Sequence, residues 1–262
     1  MVTFALSSCG SPDDPVVTAN DKTATVSARC ASLEELAWVD VDAEGLRTIR
    51  AQIDDPEPHI VKCATAALRD FTADSPAETA RLLNPLLRDP DPLVLTAVAK
   101  ALGDPWWDPP GNARSAKLLE QVAVKGLSGE GADKRWAEAR AAAVLALAAL
   151  GDRHAEAIMM RMLHNEPPRN AEAAALALVR LLNIGQLLQL LEDPNNWRLV
   201  YPLVDLKSAR FDAALIAVLN RSDNPTIAEY YVNHGDRRLR QAANRWADAH
   251  GYWFGVTPAQ VR

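Results

Sequence analysis

Alanine and aliphatic residues return every three or four positions through most of the chain, and polar residues fill the positions between them. That is the period of an α-helix packed on one face, not the alternation of a strand. The pattern predicts helices over 32–39, 43–53, 58–72, 76–87, 92–103, 113–127, 133–150, 152–163, 168–182, 184–192, 196–204, 208–220, 225–233 and 236–250. Pro, Gly, Asp and Asn gather at the breaks, where each ends a helix or opens a turn for its own reason. Ser32-x-x-Glu35 reads as a capping box that starts the first helix. Gly103 and Gly151 follow apolar runs and read as C-terminal caps.

The pattern also repeats on a longer scale. Asp55-Pro-Glu-Pro58 and Asp89-Pro-Asp-Pro92 lie 34 residues apart, and after them Ile60 matches Val94, Ala67 matches Ala101 and Leu68 matches Leu102. Asp before Pro stops one helix and opens a turn. The second Pro falls in the first turn of the next helix, where its missing N–H costs nothing. Weaker copies end at Leu150-Gly151-Asp152, run through Ala171–Leu182, restart at Asp193-Pro194 and recur from Gly235-Asp236 to Trp246. A single helix bundle would leave this recurring turn unexplained. Helix pairs that cannot bury their apolar stripes alone bury them by stacking.

The turn Asp-Pro-Asp-Pro, the aliphatic after it and the run ending Ala101-Leu102-Gly103-Asp104 resemble the short HEAT repeats with their Ala-x-x-Ala-Leu-Gly-Asp pattern, including the HEAT-like repeats of phycobilisome lyases. The resemblance covers roughly residues 43–250. It implies an all-α fold, a right-handed α-solenoid of stacked antiparallel helix pairs of the HEAT/armadillo kind, with about six repeats. The tetratricopeptide and ankyrin signatures are absent from the sequence. The expected organisation is a tether over residues 1–30, the solenoid over 31–250 and an aromatic C-terminal tail over 251–262 in which Tyr252-Trp253-Phe254 covers the last pair.

Composition narrows the function. Aromatics are 6% of residues, so the core is aliphatic, and the net charge of −6 speaks against a general nucleic-acid binder, which needs a basic face. The charge is uneven. Residues 31–60 carry Glu34, Glu35, Asp40, Asp42, Glu44, Asp54, Asp55 and Glu57 against Arg47 and Arg50, whereas 233–262 carry Arg237, Arg238, Arg240, Arg245 and Arg262 against Asp236 and Asp248. These runs are either solvated faces or the ends of a dipole that orients a partner.

Leu6-Ser7-Ser8-Cys9 is similar to the lipobox of bacterial lipoproteins, which implies lipidation at Cys9 and an exported, membrane-anchored domain in the cell envelope. The segment before Cys9 lacks the basic and apolar regions of a full signal peptide, so a cytoplasmic protein is the alternative. With Cys9 lipidated, Cys30 and Cys63 remain as a candidate disulfide. No run of apolar residues is long enough to span a bilayer, so any membrane association is through the lipid.

Two surfaces are candidate partner sites. Trp106 and Trp107 lie in the proline-rich stretch 104–112, read as a binding loop or as a plug between repeats. The second helices of the pairs offer His59, Lys62, Arg69, Lys100, Arg135, Arg140 and Arg180 for a concave face, each also readable as a solvated side chain. No catalytic motif, metal-ligand cluster or phosphate loop is present in the sequence, and no cofactor is expected. The paired His-Glu dipeptides of the iron-binding HEAT-like hydroxylases are missing. The reading is a non-enzymatic scaffold for a protein or peptide partner, with a HEAT-like lyase or other enzyme-associated factor as the alternative.

Overall fold

The computed structural model of the chain describes residues 14–38, 43–71, 76–103, 113–125, 134–165 and 168–254. Every regular element among them is helical. The candidate residues Cys9, Trp106 and Trp107 lie outside this set. The chain divides into two compact units, Met1–Leu150 and Gly151–Arg262.

The first unit holds α1 (Pro15–Asn20), α2 (Val26–Trp38), α3 (Ala43–Ala51), α4 (Pro58–Phe71), α5 (Pro76–Leu83), α6 (Pro92–Leu102), α7 (Ala113–Val124) and α8 (Lys134–Ala149). Helices α2, α4, α6 and α8 lie side by side in that order, and α3, α5 and α7 pack behind them. The repeat positions explain this layer. Ile60, Leu68, Ala67, Val94, Ala101 and Leu102 are all at most 2% exposed. At about 25 cal/mol per Å² of buried apolar surface, this stripe is what each pair gains by stacking.

The second unit holds α9 (Glu156–Asn165), α10 (Pro168–Leu181), α11 (Ile184–Leu190), α12 (Val200–Asp205), α13 (Asp212–Arg221), α14 (Pro225–His234) and α15 (Arg237–His250). Here α10, α12 and α14 are successive neighbours in one layer, and α9 and α15 close against α10 and α14. At the end, Tyr252 packs edge-on against Trp246 and Phe254 against Tyr252. Trp253 is 87% exposed, so the expected aromatic cover comes from its two neighbours alone.

One turn chemistry recurs throughout. The side chains of Asp55, Asp89, Asp91, Asp193 and Asn224 each accept a hydrogen bond from the backbone N–H two residues on, at 2.7–3.0 Å. These Asx turns hold the chain open just where Pro starts the next helix.

Three expectations need correction. The tether predicted over residues 1–30 contains α1 and, after a turn at 21–25, the start of α2, and Ala19 is fully buried. Asp14-Pro15 starts α1 by the same Asx device, with Asp14 Oδ1 accepting from Val16 N at 2.9 Å. The capping box at Ser32 is not a helix start. Helix α2 begins six residues earlier, where Thr25 Oγ1 accepts from Ala28 N at 3.2 Å, and Ser32 is buried mid-helix. Gly103 ends α6 without adopting the left-handed conformation, at φ −100. What demands glycine there is a close approach, since a Cβ would lie 2.6 Å from Ala146 Cα of α8. Gly151, by contrast, does sit at φ +68, with open space around it. Gly103→Ala is therefore expected to force α6 and α8 apart at a cost of ~1–3 kcal/mol. Gly151→Ala carries only the left-handed penalty of ~1–2 kcal/mol. Urea unfolding of both variants checks the difference in cause: a larger side chain at 103, such as Val, worsens the loss, whereas Asn at 151 relieves it.

Candidate functional site

Three segments of the second unit line one open groove of about 680 Å³ with residues at helical spacing. Pro168, Glu172 and Leu176 come from α10, and Thr226 and Tyr230 come from α14. The middle wall comes from the segment leading into α12 (Trp197, Arg198), α12 itself (Tyr201, Pro202, Asp205) and Leu206 after it.

The middle wall owes its geometry to a broken helix. Asp193 caps a 3-10 turn, Pro194–Leu199, which runs into α12. Within it Asn196 leaves helical geometry at φ −88, ψ 15. Its buried amide explains the break: Nδ2 donates to Leu190 O at 2.9 Å, and Oδ1 accepts from His164 Nε2 at 2.6 Å. These bonds are alternatives to the helical ladder, and they re-aim the two residues that follow. Trp197 and Arg198 thereby reach the groove together with Tyr201.

The rings form a row. Trp197 meets Tyr201 at 5.7 Å and 81°, and Tyr201 meets Tyr230 at 4.6 Å and 68°, both edge-to-face. His234 stacks on Tyr230 at 4.3 Å, and the Arg198 guanidinium lies 4.6 Å over the Trp197 ring. Arg198 Nη1 also donates to Leu163 O at 3.3 Å, which fixes the guanidinium. Trp197, Tyr201 and Tyr230 are each half-buried, so the row still shows a substantial apolar surface to solvent.

The polar groups are few. The Tyr230 hydroxyl lies 2.9 Å from each oxygen of Asp205, and the two share its one donated proton. Burial first, then that hydrogen bond and the charges of Asp205 and Glu172, push the Tyr230 phenol up to about 12. Burial also raises the Tyr201 phenol, with Glu172 adding to the rise and Arg198 opposing it. Both phenols therefore remain hydrogen-bond donors at any physiological pH. An acid-base role for them is not supported.

The sequence-predicted residues lie elsewhere. Cys30 in α2 and Cys63 in α4 are joined by a disulfide. Of the cations proposed for a concave face, Arg140 is 1% exposed and donates through Nη1 to Lys125 O, so it is a core residue of α8. His59 pairs with Glu57, and Arg69 with Asp70. Among the described residues no group of His, Cys, Asp and Glu has the geometry of a metal site, and no helix is long and apolar enough to cross a membrane.

No protein-family model matches the chain, and no curated protein does so either. Among solved structures it is similar to the complex of CpcE and CpcF of phycocyanin lyase from Nostoc sp. PCC7120, at 17% identity and a TM-score of 0.51, covering 95% of this chain and 99% of that one. An engineered protein is a more distant match, at 16% identity, TM-score 0.38, and 92% and 98% coverage. The first likeness identifies a HEAT-like helical-repeat fold.

Proposed function

We propose that this chain is a helical-repeat scaffold that holds an extended segment of a protein partner in the groove between α10, α12 and α14. The observation that carries the proposal is the row of half-buried rings Trp197, Tyr201 and Tyr230 in an open groove. Aromatic rings contribute large contact area with little conformational entropy to lose, which is why they dominate binding hot spots. An open groove lined by three successive segments suits an extended chain better than a compact small molecule. Thr226 and Tyr201 offer hydroxyls in its lining for main-chain groups.

The same proposal sets the module in the cell envelope, lipid-anchored at Cys9 and outside the reducing cytoplasm. The lipobox-like Leu6-Ser7-Ser8-Cys9 supports this, as does the Cys30–Cys63 bridge, because disulfides persist in oxidising compartments. A second reading, a component of a chromophore-attachment lyase, has the likeness of fold to the phycocyanin lyase complex behind it. Fold alone does not carry chemistry.

One experiment tests the proposal. A photo-crosslinking residue at Leu206, 53% exposed in the groove, is compared in cells with one at Trp38, 75% exposed in the first unit. The expected result is a discrete protein adduct at position 206 and none at 38. Adding Tyr201→Ala should weaken capture about tenfold or more, the loss of one hot-spot ring. Equal capture at both positions, or capture indifferent to Tyr201, would sink the groove. Mass spectrometry of the recovered chain reads Cys9 at the same time, and an unmodified cysteine there ends the envelope assignment.

A further inference from the structure

We infer that the segment held in this groove presents a basic side chain, lysine or arginine, to Glu172, with apolar residues on either side lying against the Trp197, Tyr201 and Tyr230 rings. The inference rests on the peptide-holding reading and adds the charge and register of the occupant.

The charges lining the groove are two carboxylates, Glu172 and Asp205, and one guanidinium, Arg198. They are not equally available. Arg198 is held over Trp197 and bound to a backbone carbonyl, so it acts as part of the wall. Asp205 is engaged by Tyr230, whose single hydroxyl proton its two oxygens share. Glu172 is exposed at the α10 rim and accepts no hydrogen bond from a described residue. Its charge nevertheless reaches the phenols of Tyr201 and Tyr230. Glu172, Tyr201 and Tyr230 line the same groove, so a cation beside Glu172 shares that groove with the two rings.

The apolar lining fits the rest of such a side chain. Leu176 lies one turn beyond Glu172 on the same face of α10, and Pro202 and Leu206 stand on the middle wall. A lysine or arginine stem can run along these groups while its head stays at the rim near water. An acidic side chain in the same position would face two carboxylates. A fully neutral segment would leave Glu172 partly desolvated without a partner.

The test uses defined peptides titrated into the full chain by calorimetry, with the binding site located by NMR. Three acetylated, amidated peptides share the sequence Leu-Pro-X-Leu-Pro, with X as lysine, norleucine or glutamate. Since the site is at a rim, the lysine peptide is expected to bind about fivefold more tightly than the norleucine one, and the glutamate peptide most weakly. Glu172→Gln should bring the lysine-to-norleucine ratio close to one. Tyr201→Ala should weaken lysine and norleucine peptides alike. Norleucine binding as well as lysine, or a ratio unchanged in Glu172→Gln, overturns the basic-residue inference and leaves the groove standing. If no peptide binds, or if binding ignores Tyr201, the groove reading fails, and the inference with it.

Discussion

Arg29→Met should lower the stability of the first unit by ~3–5 kcal/mol, the cost of leaving a buried charge without its partner. Arg29 and Asp55 form an ion pair at 2.6 Å with side chains only 6% and 2% exposed. The guanidinium does more than pair. Nε donates to Ala19 O at the end of α1 at 3.1 Å, and Nη2 donates to Gln52 Oε1 at 2.6 Å. Gln52 Nε2 in turn donates to Asn20 Oδ1 at 2.8 Å. One side chain of α2 therefore ties together α1, the turn after α3 and the Asp-Pro turn that opens α4. Met fills a similar volume but leaves Asp55 buried and charged, with only the exposed Lys22 at 3.7 Å to balance it.

The pair also fixes the direction of a pH effect. Burial alone would raise the Asp55 carboxyl, but hydrogen bonds from Arg29 and Glu57 N–H and the charges of Arg29 and Lys22 outweigh it and hold the group below the usual carboxylate range. A depressed carboxylate contributes its stabilisation above the unfolded pKa and loses it as pH falls through the folded one. The wild type should therefore lose stability in acid below about pH 4, where Arg29→Met, already without the pair, loses less. Urea unfolding of Arg29→Met, Asp55→Asn and the double variant measures this. The double variant should be more stable than Arg29→Met, since it no longer buries a charge. Simple addition of the two losses, or a single loss under about 1 kcal/mol, would mean the pair is peripheral.

Much of this architecture is legible in the residues because stacking requires the same turn and the same stripe each time. Ile60/Val94 and Leu68/Leu102 could be paired across 34 residues, and the helices α4 and α6 follow directly. The same turn signal was present at Asp14-Pro15, yet α1 has only six residues, too few for the apolar period to show. Its fixation depends on Arg29, a long-range contact that no local pattern announces. Gly103 illustrates the limit from the other side. Its position past a helix suggested a cap, whereas its need for glycine comes from Ala146, more than forty residues away.

The groove was harder to foresee. Pro168/Glu172/Leu176 and Thr226/Tyr230 are visible as helical stripes, but neither helix alone says that its stripe faces another. The middle wall depends on the kink at Asn196, which follows from the hydrogen bonds of a buried amide to His164 and Leu190. The available signal was Asp193-Pro194 followed by aromatic residues at 197, 201 and 230, two of them four apart. An ideal helix would expose the cations of the second helices, whereas Arg140 is buried in α8 with its guanidinium on the Lys125 carbonyl.

Removing the Cys30–Cys63 bridge, by reduction or as Cys30→Ser/Cys63→Ser, should lower stability by ~2–4 kcal/mol. The cysteines are 33 residues apart in sequence and their Cα atoms 5.4 Å apart, so the bridge closes a loop containing α3 and joins α2 to α4. Most of its effect should fall on the unfolded chain, whose freedom the closed loop restricts. The folded interface does not rely on it, because Leu33 of α2 and Ile60, Ala64 and Leu68 of α4 are already fully buried. The reduced protein should accordingly stay folded at moderate temperature and keep its amide protection in α4, while its urea midpoint falls. Alkylation of Cys30 and Cys63 only after reduction would establish that the bridge is present in the protein from cells. A midpoint unmoved by reduction, or α2 melting away from α4 under native conditions, would each contradict this account. The first would mean that the loop is restricted without the bridge, the second that α2 is held in place chiefly by sulfur and not by its buried leucines.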